Sequence, residues 1–175
     1  RMGKPDIEVC LDHLLGNGGR ELLYYPLVSY TNGNFEALRE MLESEDSLLS
    51  LSDGGAHCSL ICDASMPSYM LSHWVRDRQR GPRLGLEQAE KYLSYGLADR
   101  GLLAPGLKAD LNIIDLDRLA IAPPHMVNDL PANGQRLVQE VAGYVATINN
   151  GQVTYRDGTP TGAMPGKLVR GPQSV

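Results

Sequence analysis

The chain has 175 residues, enough for one core of ordinary size or for part of a larger domain. Its apolar fraction of 42% fits a globular protein, and a net charge of -5 gives nucleic acid and anionic membrane surfaces no electrostatic reason to bind. No window approaches the roughly 18 apolar residues that span a bilayer, and no basic stretch leading into an apolar run marks a secretory signal.

Pro5 and Asp6 open a predicted helix that runs to about Leu15, with Ile7, Leu11, Leu14 and Leu15 on its apolar face. The glycine-rich "GNGG" at 16–19 ends it. "ELLYYPLVSY" follows and predicts a buried strand over 22–30, with Pro26 read as near one end. Asn34 is placed to cap a helix over 34–43 that turns Phe35, Leu38, Met41 and Leu42 to one side. "SLLSLS" at 47–52 predicts a second strand. Helix, strand, helix, strand is the alternation of a parallel sheet or barrel. The two strands are expected to be parallel neighbours, with the 34–43 helix as their right-handed crossover.

In such folds ligands bind at the carboxyl ends of strands. That is where "LSDGGAH", residues 51–57, stands. Asp53 has two readings there: a carboxylate that moves protons, or a cap for the turn that follows. Gly54 and Gly55 permit positive φ and close backbone approach, which a tight turn and a substrate-receiving turn both need. His57 is placed either to bind substrate or to hydrogen-bond the loop.

Cys58 and Cys62 stand four apart, but no second ligand pair sits nearby, so they read as small side chains packed beside a site. A cysteine hydrolase pairing either thiol with His57 lacks an evident third, orienting group. With Cys10 the cysteines number three, an odd count matching no disulfide framework. That favours a reducing compartment, and a cytoplasmic location is expected.

Asp63 and Ser65 either line a pocket or cap the next helix, with Ser65 read as its N-cap. That helix runs from Pro67 to about Arg78 and carries Met70, Leu71 and Trp74 inward. "RDRQRGPR" at 76–83 reads as a solvated loop, and a further helix covers about Leu86 to Leu93. His13 and His73 lie on helices and read as structural. Beyond residue 100 Gly and Pro become frequent. "LNIIDL", "VATINNG" and "QVTYRDG" look like short strands, the last two forming a hairpin about Asn150-Gly151. Two strands and a tail make no stable domain, so more β structure is required.

Three segments together carry a resemblance: "LSDGGAH", "GLADRGLLAPGLKADLNIIDLDRL" at 96–119, and "GYVATINNGQVTYRDGTPTGAMPGKLVRG" at 143–171. In this order they resemble the amidohydrolase superfamily, and within it the D-aminoacylase (N-acyl-D-amino-acid deacylase) branch. The resemblance implies an α/β fold: the last βα units of a (β/α)8 barrel over residues 1–100, then the C-terminal part of a small β-sandwich over 101–175. It implies amide hydrolysis with Asp53 as the catalytic acid–base and as a possible metal ligand. Gly54, Gly55 and His57 would meet an N-acyl amino acid.

Relatives hold zinc or another divalent metal through a His-x-His pair, a bridging residue and two more histidines. Here the four histidines are His13, His57, His73 and His125, no two of them one residue apart. The chain therefore resembles a carboxy-terminal piece, expected to be inactive and to bind no metal alone. It would need the rest of the barrel or a second copy to cover its open edges. Between Leu93 and Tyr95 it is several residues shorter than the family pattern. A non-catalytic binding or assembly module derived from the same fold is the alternative from a different functional class.

Overall fold

The computed structural model describes residues 3–25, 30, 32–49, 52, 57–94 and 101–168. The chain divides into two compact units, Arg1–Ser47 and Leu48–Val175.

In the first unit, helix α1 spans Asp6–Leu14. Pro5, with φ -58°, precedes it, and Asp6 and Glu8 in the first turn face the positive end of the helix dipole. "GNGG" stops the helix as expected: Asn17 (φ 49°) and Gly18 (φ 68°) are left-handed, so the ladder cannot continue. Helix α2 spans Glu36–Glu43. The side-chain oxygen of Asn34 accepts the Glu36 N–H at 3.0 Å in a local turn, but the N-cap is Phe35 and makes no side-chain cap bond, so the expected cap is corrected by one residue. Arg39 and Glu43 pair one turn apart at 2.5 Å.

The strands expected at 22–30 and 47–52 are corrected where they can be seen. Residues 22–25, 30, 47–49 and 52 are in no strand, while 26–29 and 50–51 lie outside the described residues. Apolar, β-branched or aromatic content makes a segment fit to pair, but a strand exists only when a neighbour takes up its N–H and C=O groups. Without one, Tyr24 is 90% exposed and Leu48 80%.

The second unit holds every buried hydrophobic side chain among the described residues. Helix α3, Met66–Tyr69, runs directly into a π-helix, Met70–Asp77. The wider winding ends when the Arg78 N–H reaches back five residues to the His73 carbonyl at 2.8 Å. Met70, Leu71 and Trp74 point inward as the sequence predicts. Burial of each such side chain contributes about 1.5–3 kcal/mol. The Leu84 N–H returns the chain to the Trp74 carbonyl at 2.9 Å, and helix α4, Leu86–Ser94, follows with Ala89 fully enclosed.

The basic stretch between these helices is not simply solvated. Arg78 is buried, its guanidinium 4.3 Å from the centre of the Trp74 ring. Its Nε donates to the Arg80 carbonyl at 2.6 Å. Solvating this side chain would give up the ring contact and the hydrogen bond, which is why a charge run need not be a solvated face.

The β structure that the hairpin required is present. Strands β1 (Leu111–Ile114), β6 (Tyr144–Asn149), β7 (Gln152–Arg156) and β8 (Thr159–Pro160) form one antiparallel sheet in the order β1-β6-β7-β8. Asn150 (φ 49°) and Gly151 (φ 77°) make the predicted turn, both left-handed as a type I′ hairpin demands. The stretch 120–142, in which no element was anticipated, supplies two further antiparallel ladders. β2 (Ala120–Ile121) pairs with β5 (Val141–Ala142), and β3 (His125–Leu130) with β4 (Gly134–Val138).

Gly143 is where the backbones come closest. A Cβ there would stand 2.6 Å from the Leu119 Cα, and Leu119 is itself fully buried. Helix and strands of this unit are joined by Arg76, whose guanidinium donates to the carbonyls of Leu116 and Asp117.

Candidate functional site

Of the residues singled out in "LSDGGAH", Asp53, Gly54 and Gly55 lie outside the described residues. His57 does not, and its backbone is left-handed at φ 49°. For a residue with a Cβ that conformation costs roughly 1–2 kcal/mol. The return is local: the His57 carbonyl accepts N–H groups from both Leu60 (2.7 Å) and Ile61 (2.9 Å), closing a tight turn directly after the motif. The imidazole itself is exposed.

This turn is fastened to the β structure at successive points. The Cys58 carbonyl accepts the N–H of Leu137, in β4, at 2.7 Å. The Ser65 hydroxyl meets Gln139 Oε1 at 2.5 Å, and the Gln139 amide nitrogen donates to the Ala122 carbonyl at 2.9 Å. The buried Ser68 shares a hydrogen bond of 2.9 Å with the Tyr144 hydroxyl. Ser65 does stand at the N-cap of α3, but its hydroxyl makes no capping bond. The expected side-chain cap is thus corrected: a long-range amide partner outcompetes the local N–H. Asp63 instead offers its carbonyl to the Met66 N–H at 3.0 Å.

Both thiols near the turn are free and half-buried. Burial, and secondarily the neighbouring charge of Asp63, pushes the Cys62 thiol above its ordinary value. That is the opposite of what a nucleophilic thiolate needs. His73 stacks on Tyr69, with ring centres 4.7 Å apart and planes 7° apart, and presents its edge to Trp74 at 5.7 Å. Burial lowers its affinity for a proton. The Arg78 charge lowers it further, and Asp77 partly opposes both. His13 contacts the Leu22 carbonyl at 3.1 Å. The structural reading of these two histidines agrees with such contacts.

Among the described residues no group of three or more His, Cys, Asp and Glu side chains is arranged to hold a metal ion. The described donors therefore do not by themselves make up a catalytic metal centre, which takes about three protein ligands. Reasoning from sequence missed Gln139, Ser68 and Tyr144 as supports of the turn. "QRLVQE" at 135–140 reads polar, polar, apolar, apolar, polar, polar, so no alternation marked this stretch as β structure.

The chain matches the amidohydrolase family model over residues 5–155 and belongs to that family. No curated protein and no solved structure matches it. Membership carries a hydrolase-type activity and an α/β fold, consistent with the helices and sheet described above. The family generally uses divalent metals.

Proposed function

We propose that this chain is the carboxy-terminal portion of a metal-dependent amidohydrolase of the D-aminoacylase branch, which hydrolyses the amide bond of N-acyl amino acids. One observation carries the reading. "LSDGGAH" and the "GLKADLNIIDL" segment lie in the branch's order inside a family match that spans 5–155, and the "NNGQVTYRDG" hairpin at 149–158 follows them across its end.

In this reading Asp53 accepts a proton from the attacking water and delivers it to the amine nitrogen as the C–N bond breaks. Gly54 and Gly55 let the backbone approach the substrate, and His57 contacts it. The metal ligands belong to the rest of the barrel. The exposed apolar side chains of Leu23, Tyr24, Tyr25 and Leu48 support the view that further structure covers these segments.

The test is amine release from N-acyl-D- and N-acyl-L-amino acids by the intact parent protein and by its Asp53→Asn variant. The variant should lose activity by about 10² or more, the usual range for removing a positioned acid–base group. Near-normal turnover would remove Asp53 from the mechanism. A parent that binds these ligands without turnover would fit the non-catalytic module instead.

A further inference from the structure

We infer that the chain carries a site of spontaneous covalent modification at Asn17-Gly18, and that the fold shields a chemically equal one at Asn150-Gly151. Neither depends on the reaction the parent carries out.

Asn followed by Gly occurs four times, at Asn17, Asn32, Asn133 and Asn150. Glycine carries no Cβ to crowd its own nitrogen, so that nitrogen can reach the side-chain carbonyl carbon of the Asn before it. It loses its proton and bonds to Cγ. The bond from Cγ to the side-chain amide nitrogen breaks, and ammonia leaves with a proton. Water then opens the five-membered imide at one carbonyl or the other, leaving aspartate or isoaspartate. Water is the one co-reactant, and nothing is oxidised or reduced.

All four asparagines are exposed, so access of water does not separate them. What separates them is how firmly the turn is held. The Gly151 N–H donates to the Ala109 carbonyl at 2.9 Å, and the Asn150 N–H to the Asp110 carboxylate at 2.6 Å. Both acceptors come from a distant segment, and the turn also closes the β6–β7 ladder. The Gly151 nitrogen can attack only after these bonds open. The Gly134 N–H donates to the Pro131 carbonyl and the Gly33 N–H to the Tyr30 carbonyl at 3.0 Å, which are local ties.

Asn17 stands among Gly16, Gly18 and Gly19, directly after α1. Asn17, Gly18 and Gly19 are all left-handed, at φ 49°, 68° and 79°. The Arg20 N–H closes this turn on the Gly16 carbonyl at 3.3 Å. A Cβ built on Gly18 or Gly19 would meet nothing within 4 Å. A glycine-rich helix end without packing over it opens at little cost, because few contacts are lost and much backbone entropy is gained. Reaction there would add a carboxylate beside the C-terminal end of α1, where the last carbonyls already carry partial negative charge. An isoaspartate would also lengthen the backbone inside the turn that stops the helix.

The test ages the 175-residue chain in mildly alkaline buffer made with heavy-oxygen water, folded and in urea. Peptide mapping by mass spectrometry reads the label at each asparagine. In the folded wild type Asn17 should convert at least about tenfold faster than Asn150. In urea the two should convert alike, since each is followed by glycine. Asp110→Ala should speed Asn150 about fivefold, the effect of one lost hydrogen bond on turn opening. Asn133, in the same unit, should keep its wild-type rate and so report that the variant is folded. If Asp110→Ala unfolds, the folded-to-urea ratio at Asn150 in wild type still measures the shield.

Equal rates at Asn17 and Asn150 in the folded chain would overturn the assignment. The same inequality in urea would trace it to sequence rather than fold, and would overturn it too. A wild-type rate at Asn150 in folded Asp110→Ala would remove Asp110 from the shield.

Discussion

A side-chain oxygen of Asp110 accepts the backbone N–H of Asn150 at 2.6 Å. Beside it the Ala109 carbonyl accepts the Gly151 N–H at 2.9 Å. Two of the three segments that carry the family resemblance are thereby joined: the "GLKAD" turn holds the tip of the β6–β7 hairpin. The carboxylate stabilises a turn whose two central residues are both left-handed. The residue that caps this hairpin stands 40 positions away from it in sequence.

Asp110→Ala should therefore lower the unfolding free energy by about 1 kcal/mol. That is below the roughly 1.5–3 kcal/mol of a hydrogen bond to a charged group, because the pair is exposed. Asp110→Asn keeps the acceptor and should lose less. Gly151→Ala meets no atom within 4 Å, so its cost is backbone strain alone, about 1–2 kcal/mol. Urea midpoints of the three variants check this; an Asp110→Ala value equal to wild type would leave the bond without energetic weight.

The two hairpin residues were legible because Asn-Gly carries its turn type in its own chemistry. So was the inward face of the 66–77 helix, because Met70, Leu71 and Trp74 sit at helical spacing. Its π winding was not legible, since apolar spacing does not distinguish a five-residue bond from a four-residue one over so short a span. The strands at 22–30 and 47–52 were over-read at their described residues, 22–25, 30, 47–49 and 52: composition reports fitness to pair, and only a neighbour supplies the ladder. Gln139 was invisible for the opposite reason. Its importance comes from Ser65 and Ala122, 74 and 17 residues away. As for Asp53, sequence alone left proton carrier and turn cap equally open. Only the family pattern separated them.

Arg78 should prove to be part of the core rather than of the surface. Arg78→Met keeps an unbranched stem over Trp74 but removes the cation over the ring and the 2.6 Å bond to Arg80. A loss of roughly 1–3 kcal/mol follows from a desolvated cation–π contact together with a buried hydrogen bond. Trp74 is the chain's one tryptophan, so its emission reports this site alone. The folded variant should show a shifted emission maximum as well as a lower denaturant midpoint. An unchanged spectrum would place the guanidinium elsewhere in solution.

His73 should make the protein less stable in mild acid. Burial, then Arg78, lowers its proton affinity in the folded state, with Asp77 opposing. In the unfolded chain it binds a proton near the ordinary histidine value of about 6.5. As pH falls below that value the unfolded state therefore binds more protons than the folded one, and stability falls with it. The loss levels off once pH passes below the depressed folded value. His73→Phe preserves a ring to stack on Tyr69 and removes the titration. Denaturant midpoints at pH 7.5 and 5 should fall further for wild type than for this variant. Parallel losses would show that His73 carries no net proton linkage.

The 175-residue chain by itself should neither retain stoichiometric zinc after dialysis nor release amino acid from N-acyl-D-amino acids. A mononuclear catalytic zinc takes about three protein ligands and an open position. No such group exists among the described residues, and the four histidines include no His-x-His pair. His73 is committed to its stack on Tyr69 and His13 to the Leu22 carbonyl. Asp53 and His57 share the motif but supply two donors, too few to fix an ion against water. Leu48 and Leu49, just ahead of the motif in its own unit, stand in solvent, and a site bordered by water loses most of the electrostatic leverage that a dry, preorganised one has. Metal analysis and an amine-release assay on the purified chain check both statements. Turnover that follows the chain through every column and vanishes with a chelator would show that its own residues complete the site.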